Sequence, residues 1–251
     1  MTLYLIATPI GNLGDMTPRA IETIKSLDVL FCEDTRHTGN LLSLLGIPRP
    51  PLVLSNHEHN ERANAAKVVE FLDAGKIVGI CSDAGLPILS DPGFPAVKAA
   101  IEAGHQVVPI PGACAATLAL IASGLPASSF IFKGFPPRKS GNRRRFLEED
   151  ALSRHTLVFY ESPFRIGKLL DEALEILGDR QAAVCLELTK QFERIQRGSL
   201  AELAPAFRDK KVKGEAVIVI EGNPKKDKPD EENGECGMMN DLSAALSDPS
   251  D

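Results

Sequence analysis

The chain has 251 residues, 28 Lys and Arg against 34 Asp and Glu, and a formal charge of −6. Its 43% hydrophobic and 25% charged residues are near the globular average, which excludes global disorder, collagen and coiled coil. Residues 225–251 hold three Lys and eight acids, so the tail carries −5 and the preceding 224 residues sum to −1, leaving the body open to an anionic partner.

Met1–Ile6 lacks a basic leader and soon meets Pro9 and Gly11, so it reads as a first strand rather than a signal peptide. No apolar run approaches the ~18 residues that span a bilayer. Leu3–Thr8, Val29–Cys32, Leu52–Leu54, Ile77–Cys81 and Val107–Ile110 are continuous apolar runs, as in strands covered on both faces. Helical patterns lie between them. One starts at Thr17-Pro18, and two end at Gly75 and Gly104. The alternation predicts a mostly parallel α/β sheet over residues 1–111.

Ala113–Ser123 is a small-residue helix, after which the rhythm changes. Strands are expected at Ser129–Phe132, Thr156–Tyr160, Ala182–Leu188, Glu193–Arg197 and Ala216–Glu221. Helices are expected at Phe164–Leu177 and Ser199–Arg208. Residues 115–224 therefore read as a second α/β domain with a mixed sheet. The acidic tail, 225–251, has little apolar content and is expected to be disordered.

Five widely spaced cysteines (32, 81, 114, 185 and 236) form no C-x-x-C pair, and the first four sit in apolar surroundings. They read as small core residues, with neither zinc site nor disulfide framework, and a cytoplasmic location fits.

Several strand ends carry chemistry. The first loop, Ala7–Pro18, has glycines spaced G-x-x-G; it lacks both the dinucleotide fingerprint and the P-loop Lys, which disfavours an NAD enzyme or a P-loop NTPase. Glu33-Asp34-Thr35-Arg36-His37 offers acids for binding or proton transfer, or simply a helix cap. Asn56–Glu61 places two His only two residues apart, a spacing that favours a polar loop over a metal site. Cys81–Gly93 holds two Asp, two Gly and two Pro where open sheets bind ligands, and reads as a ligand loop or as two turns. Residues 133–145 carry six cations and no acid, read as a loop, with Phe135 among them. Phosphate contacts and single-stranded RNA suit Lys133, Arg138, Lys139, Arg143, Arg144 and Arg145, unless the segment is only a solvated basic loop.

Together these segments resemble the tetrapyrrole-methylase-like superfamily, and within it the branch that methylates small-subunit ribosomal RNA. The ordered set carries the likeness over residues 3–222. It comprises Thr8–Leu13, Glu33–Arg36, Ser82–Gly85 with Ser90–Gly93, Pro111-Gly112, Gly134–Pro136, Tyr160–Arg165, Glu187–Lys190 and Lys213–Glu215. The resemblance implies two α/β domains with a cofactor cleft between them, a homodimer, and S-adenosylmethionine as cofactor without a metal. It implies 2′-O-methylation of a cytidine ribose in the decoding centre of 16S rRNA, within the 30S subunit. Carried onto this chain, the cofactor residues are Pro9, Ser82, Asp83, Ala84, Gly85, Pro87, Ile88, Ala113, Phe159, Tyr160, Leu188, Thr189, Gly214, Glu215 and Ala216. The candidate bases are Asp34, Glu33, Glu58 and Lys190. The rival readings are a same-fold methyltransferase acting on a tetrapyrrole or other small molecule, and a non-catalytic RNA-binding module for ribosome assembly.

Overall fold

Short aliphatic runs with two faces to bury assemble the first sheet. In the computed structural model, which describes residues 1–208 and 214–224, β1 (Thr2–Ile6), β2 (Val29–Cys32), β3 (Leu52–Ser55), β4 (Val78–Cys81) and β5 (Gln106–Ile110) alternate with α1 (Pro18–Ser26), α2 (Thr35–Leu44), α3 (Glu61–Asp73) and α4 (Phe94–Glu102). Lys213, Cys236 and the tail expected to be disordered lie outside the described residues. The strands are all parallel, in the order β3-β2-β4-β1-β5. On one face Ala20 and Ile24 of α1 and Leu42 of α2 pack on Ile6, Leu30 and Cys81. On the other, Val68 and Leu72 of α3 and Ala96 and Ala100 of α4 pack on Leu3, Phe31 and Ile80. β1 and β4 are therefore neighbours whose outgoing connections cross opposite faces. Such a switch point opens a crevice at the carboxyl ends of the two strands.

Local chemistry fixes the helix starts. The Thr17 hydroxyl accepts from Ala20 N–H at 3.2 Å, with Pro18 as the first helical residue. The helix α2 starts because the Asp34 carboxylate accepts from the N–H groups of Arg36 and His37, at 2.7 and 3.3 Å, the helix cap that the sequence offers beside the acid-base reading.

The second half begins with α5 (Ala115–Ser123). It continues through β6 (Phe130–Phe132), α6 (Ser140–Glu148), β7 (Thr156–Glu161), α7 (Ile166–Leu177), β8 (Gln181–Leu186), β9 (Arg194–Ser199), α8 (Leu200–Arg208) and β10 (Ala216–Ile220). Its sheet runs β6-β7-β10-β8-β9, parallel only between β6 and β7, so it is mixed. The small residues Ala116 and Ala119 let α5 lie close on one face, against Val158, Ala183 and Val217. Helices α6, α7 and α8 cover the other face through Leu147, Leu169, Leu170, Leu203 and Phe207. The same cluster that holds α5 takes in Ile10, Leu86 and Leu89 from the first half, so apolar contact joins the two sheets.

Two elements differ from the sequence reading. Residues 140–148 form a helix where a basic loop was expected, because Pro136-Pro137 end before it and contacts to α7 override the poor helix propensity of Gly141 and Asn142. The strand expected through Leu188 stops at Leu186, because Glu187 and Thr189 turn to positive φ (51° and 66°). The four described cysteines are buried and unpaired. No described helix is long and apolar enough to cross a membrane.

Candidate active site

The switch-point crevice is built from the loops after β1 and β4. They are laced together by Thr8 N–H to Gly85 O (2.9 Å), Gly85 N–H to Thr8 O (3.1 Å) and the Thr8 hydroxyl to Ser82 O (3.2 Å). Gly85 has φ +83°, and a Cβ there would lie 3.3 Å from Ile10 and 3.5 Å from the Ala113 carbonyl. A side chain there would be strained and would crowd Ile10. Further along the loop Ile88 (φ 77°) and Ser90 (φ 70°) hold left-handed conformations, each costing about 1–3 kcal/mol. The Glu61 carboxylate, at the start of α3, anchors the loop's end by accepting from Gly93 N–H at 2.8 Å.

The opposite wall comes from the second sheet. Antiparallel pairing sets Glu161 beside Ala216 and Tyr160 beside Val217, so the end of β7 and the start of β10 reach the crevice together. Phe135 lies against Tyr160, with ring centroids 5.4 Å apart, and Phe164 stands 75% exposed at the rim. Together the walls enclose a cleft of ≈ 430 Å³, within the size range of small-molecule sites. Ala84, Gly85, Leu86, Leu89, Ser90 and Asp91 line one side, Cys114 and Ala115 the junction, and Tyr160–Phe164 with Gly214–Val217 the other.

Charge is concentrated around Asp91. Burial raises its carboxyl to about 6; the Ser82 hydrogen bond opposes this, and the charges of Glu33 and Asp83 reinforce it. Glu33 is raised too, first by burial and then by Asp83, Glu58 and Asp34. Asp34 goes the other way, held at about 2 by hydrogen bonds from the Arg36 side chain and from the N–H groups that it caps. Across the cleft Lys190 donates to Glu187 and Glu215, both at 3.0 Å. Burial works to lower its pKa, but those carboxylates outweigh it and raise it. Glu161 is 2% exposed; one oxygen accepts from Ser162 N–H and from Arg165, while Oε2 is buried with no partner.

Of the candidate cofactor residues, Ala84, Gly85, Tyr160, Gly214, Glu215 and Ala216 line the cleft. The others stand behind it. Pro9 and Pro87 are buried, and the Ser82 hydroxyl donates to the carbonyls of its own loop. Asp83 accepts from Asp34 N–H at 3.2 Å. Ile88 packs on Gly93, Ala113 backs Gly85, and Leu188 belongs to the junction cluster. Thr189 donates its N–H to Glu193, and Phe159 is wholly buried in the core behind β7. Of the candidate bases, Glu33, Asp34 and Glu58 gather behind the first wall, while Lys190 lies over Gly11 on the far side. Asp91 and Glu161 stand inside motifs visible in the sequence without being among its candidate site residues, because neither adjacency nor spacing shows which acid of a loop turns into the cleft.

The basic segment needs correcting as an open loop. Arg143 is 4% exposed and forked onto Glu172 at 2.6 and 2.7 Å. Arg144 pairs with Glu175, and Lys133 with Glu149 and Asp150. These three cations hold α6 in place rather than standing ready for phosphate. Arg138, Lys139 and Arg145 are exposed, without a carboxylate partner among the described residues. Among those residues no cluster of three or more His, Cys, Asp or Glu is arranged to hold a metal.

The family pattern of the Tetrapyrrole (Corrin/Porphyrin) Methylases matches residues 2–204. The chain is 48% identical to the ribosomal RNA small subunit methyltransferase I of Halalkalibacterium halodurans, over 92% of this chain and 79% of that protein. It is 46% identical to the protein of the same name from Haemophilus influenzae, over 91% and 81%. Among solved structures, uroporphyrin-III-C-methyltransferase from Thermus thermophilus aligns with a TM-score of 0.59 at 20% identity, covering 87% of this chain and 93% of that one. The cobalamin biosynthetic enzyme cobalt precorrin-4 methyltransferase aligns at 0.58 and 18% identity, covering 88% and 94%; at these identities the two structures speak for the fold alone.

Proposed function

This chain belongs to the ribosomal RNA small subunit methyltransferase I family of the tetrapyrrole methylases, and from that premise we propose that it moves a methyl group from S-adenosylmethionine to the ribose 2′-oxygen of a cytidine in 16S rRNA. The observation that carries the reading is the meeting of the β1 and β4 loops with the ends of β7 and β10 around one cleft, with the Asp91 carboxylate in its wall. The two lobes, 1–111 and 115–224, act as its jaws. The setting we propose is a cytoplasmic homodimer acting on the 30S subunit.

The residues present fit such a cofactor. Ala84, Gly85, Ala115 and Ala216 keep the walls low, and a side chain at Gly85 would fill the cradle between Ile10 and Ala113. The unpartnered Oε2 of Glu161 offers a buried acceptor for a hydroxyl or amino group. Ala84, Gly85, Tyr160, Glu215 and Ala216 would hold the cofactor. When bound, S-adenosylmethionine supplies a methyl group on a sulfonium, whose departing sulfur needs no proton.

The protein's own tasks are alignment, exclusion of water and removal of one proton. Asp91 takes the proton from the 2′-hydroxyl. With its pKa near 6 it is a better base than an ordinary Asp and is still ionised at neutral pH, the compromise that favours general-base catalysis. Glu33 and Asp83 sustain that basicity by like-charge repulsion. Lys190 stays a cation and fixes Glu215 in the far wall. Phe135 and Phe164 present ring surface at the mouth on which a base can stack.

The test is methyl incorporation into 30S particles from a strain lacking this activity, with the modified nucleotide located by mass mapping. A 14 Da gain on the ribose of one cytidine is expected. Incorporation into a porphyrin precursor instead of the particle would move the substrate to the tetrapyrrole class, and tight binding of rRNA without binding of S-adenosylhomocysteine would leave an assembly module.

A further inference from the structure

We propose that a second hollow, linked to the cleft through the Arg165–Glu161 pair, is a subsite for a backbone phosphate of the RNA substrate. It lies between the start of α6 and the start of α7, with a volume of ≈ 440 Å³. Four cations line it, Arg138, Arg143, Arg165 and Lys168, against two acids, Asp171 and Glu172. Both acids are engaged. Glu172 is forked by Arg143 and takes a hydrogen bond from Ser140, and Asp171 accepts from Arg208 at 2.8 and 3.3 Å. Arg138 and Lys168 are exposed and have no carboxylate partner among the described residues, so the hollow faces solvent with uncompensated positive charge.

Arg165 supplies the second, independent observation. Its Nε donates to Glu161 and its Nη2 to the Pro136 carbonyl at 3.2 Å, which fixes the guanidinium plane. Its Nη1 is buried and has no acceptor. A guanidinium already held in plane beside the hollow suits a phosphate oxygen, since little side-chain freedom remains to be lost on binding. The same Arg165 binds Glu161, which stands in the wall of the methyl-transfer cleft, and the intervening Phe164 projects from the rim. A nucleotide whose base lies on Phe164 would thus present a neighbouring phosphate to Arg138, Arg165 and Lys168. The sequence hid this site, because its cations come from two segments and Arg143, inside the basic run, serves as its floor.

The inference rests on the ribosomal RNA reading, so the experiment separates the two. Binding of a 16S rRNA fragment to the full chain and to its Arg138→Ala/Lys168→Ala variant is measured over a series of KCl concentrations, alongside calorimetry with S-adenosylhomocysteine. The variant should bind RNA more weakly and flatten the slope of log K against log[salt] by roughly 0.7–0.9, the change for one lost phosphate contact. Its affinity for S-adenosylhomocysteine should stay within about twofold of wild type, since neither residue lines the cleft. Lys168→Glu should weaken RNA binding further than Lys168→Ala. An unchanged slope and affinity, in a protein whose wild type binds the fragment, overturn the subsite alone. A wild type that binds S-adenosylhomocysteine but no rRNA overturns the RNA reading and the subsite with it. Equal weakening by inorganic phosphate at millimolar concentration in wild type and variant would place the phosphate contact elsewhere.

Discussion

Asp91, the proposed base, is a carboxylate kept half-buried among other carboxylates. Because its folded pKa lies above the ordinary Asp value, the folded chain holds that proton more tightly than the unfolded one. Its contribution to stability is therefore complete below about pH 4 and is lost as pH rises through about 6. The gap corresponds to roughly 3 kcal/mol at full burial, cut to roughly 1 kcal/mol by solvent access. Asp91→Asn should thus raise the melting temperature at pH 7.5, give no gain near pH 4, and slow single-turnover methyl transfer about 100-fold or more with little change in cofactor affinity. Wild-type single-turnover rates should rise with pH through an apparent pKa near 6. A variant that keeps the wild-type rate and pH profile would remove Asp91 as the base. Asp34, in contrast, is a helix cap: Asp34→Ala should cost about 1 kcal/mol in denaturant unfolding, through the lost bonds to Arg36 and His37.

Helix α6 shows how an element can take its form from its neighbour. Its residues SGNRRRFLE contain Gly and Asn and only two apolar side chains, so the local pattern says loop. What makes it helical is α7, where Glu172 and Glu175 receive Arg143 and Arg144 while Leu147 enters the core. Removing one partner of a buried pair leaves the other charge uncompensated. Arg143→Ala should therefore lower unfolding free energy by about 3–5 kcal/mol. Unchanged denaturant unfolding of that variant would show that the Arg143–Glu172 pair does not hold α6 in place. At the start of β10 the Gly214 backbone has φ +96°, and a Cβ there would sit 2.0 Å from the Glu187 carboxylate. Gly214→Ala should displace Glu187 and with it Lys190, weakening cofactor affinity at least tenfold by calorimetry.

At the scale of the whole molecule, the cleft belongs to neither lobe. One wall hangs on the first sheet's switch point, the other on the second sheet, and the two are joined through Ile10, Leu86, Leu89 and α5. A ligand held by both walls stabilises the closed, folded arrangement. S-adenosylhomocysteine at 100 times its dissociation constant should add about 2.7 kcal/mol to the unfolding free energy. Thermal unfolding should then follow one shifted transition. Two transitions, of which only one moves, would mean that the ligand engages a single lobe.

The strand and helix alternation, the parallel sheet of the first half, the mixed sheet of the second and the loops that line the cleft are legible in the sequence. Apolar runs, caps and turn glycines act within a few residues of themselves, so Thr17-Pro18 or the run Val29–Cys32 declares its structure locally. Which acid faces the cleft, that half of the basic run is structural, and that Arg165 is held in plane against Glu161 emerge only from the fold. Those properties depend on burial and on partners dozens of residues away. The Asp91 carboxyl is raised by burial and then by the charges of Glu33 and Asp83, and Arg143 is unavailable because Glu172 lies against it, and no local pattern records either fact.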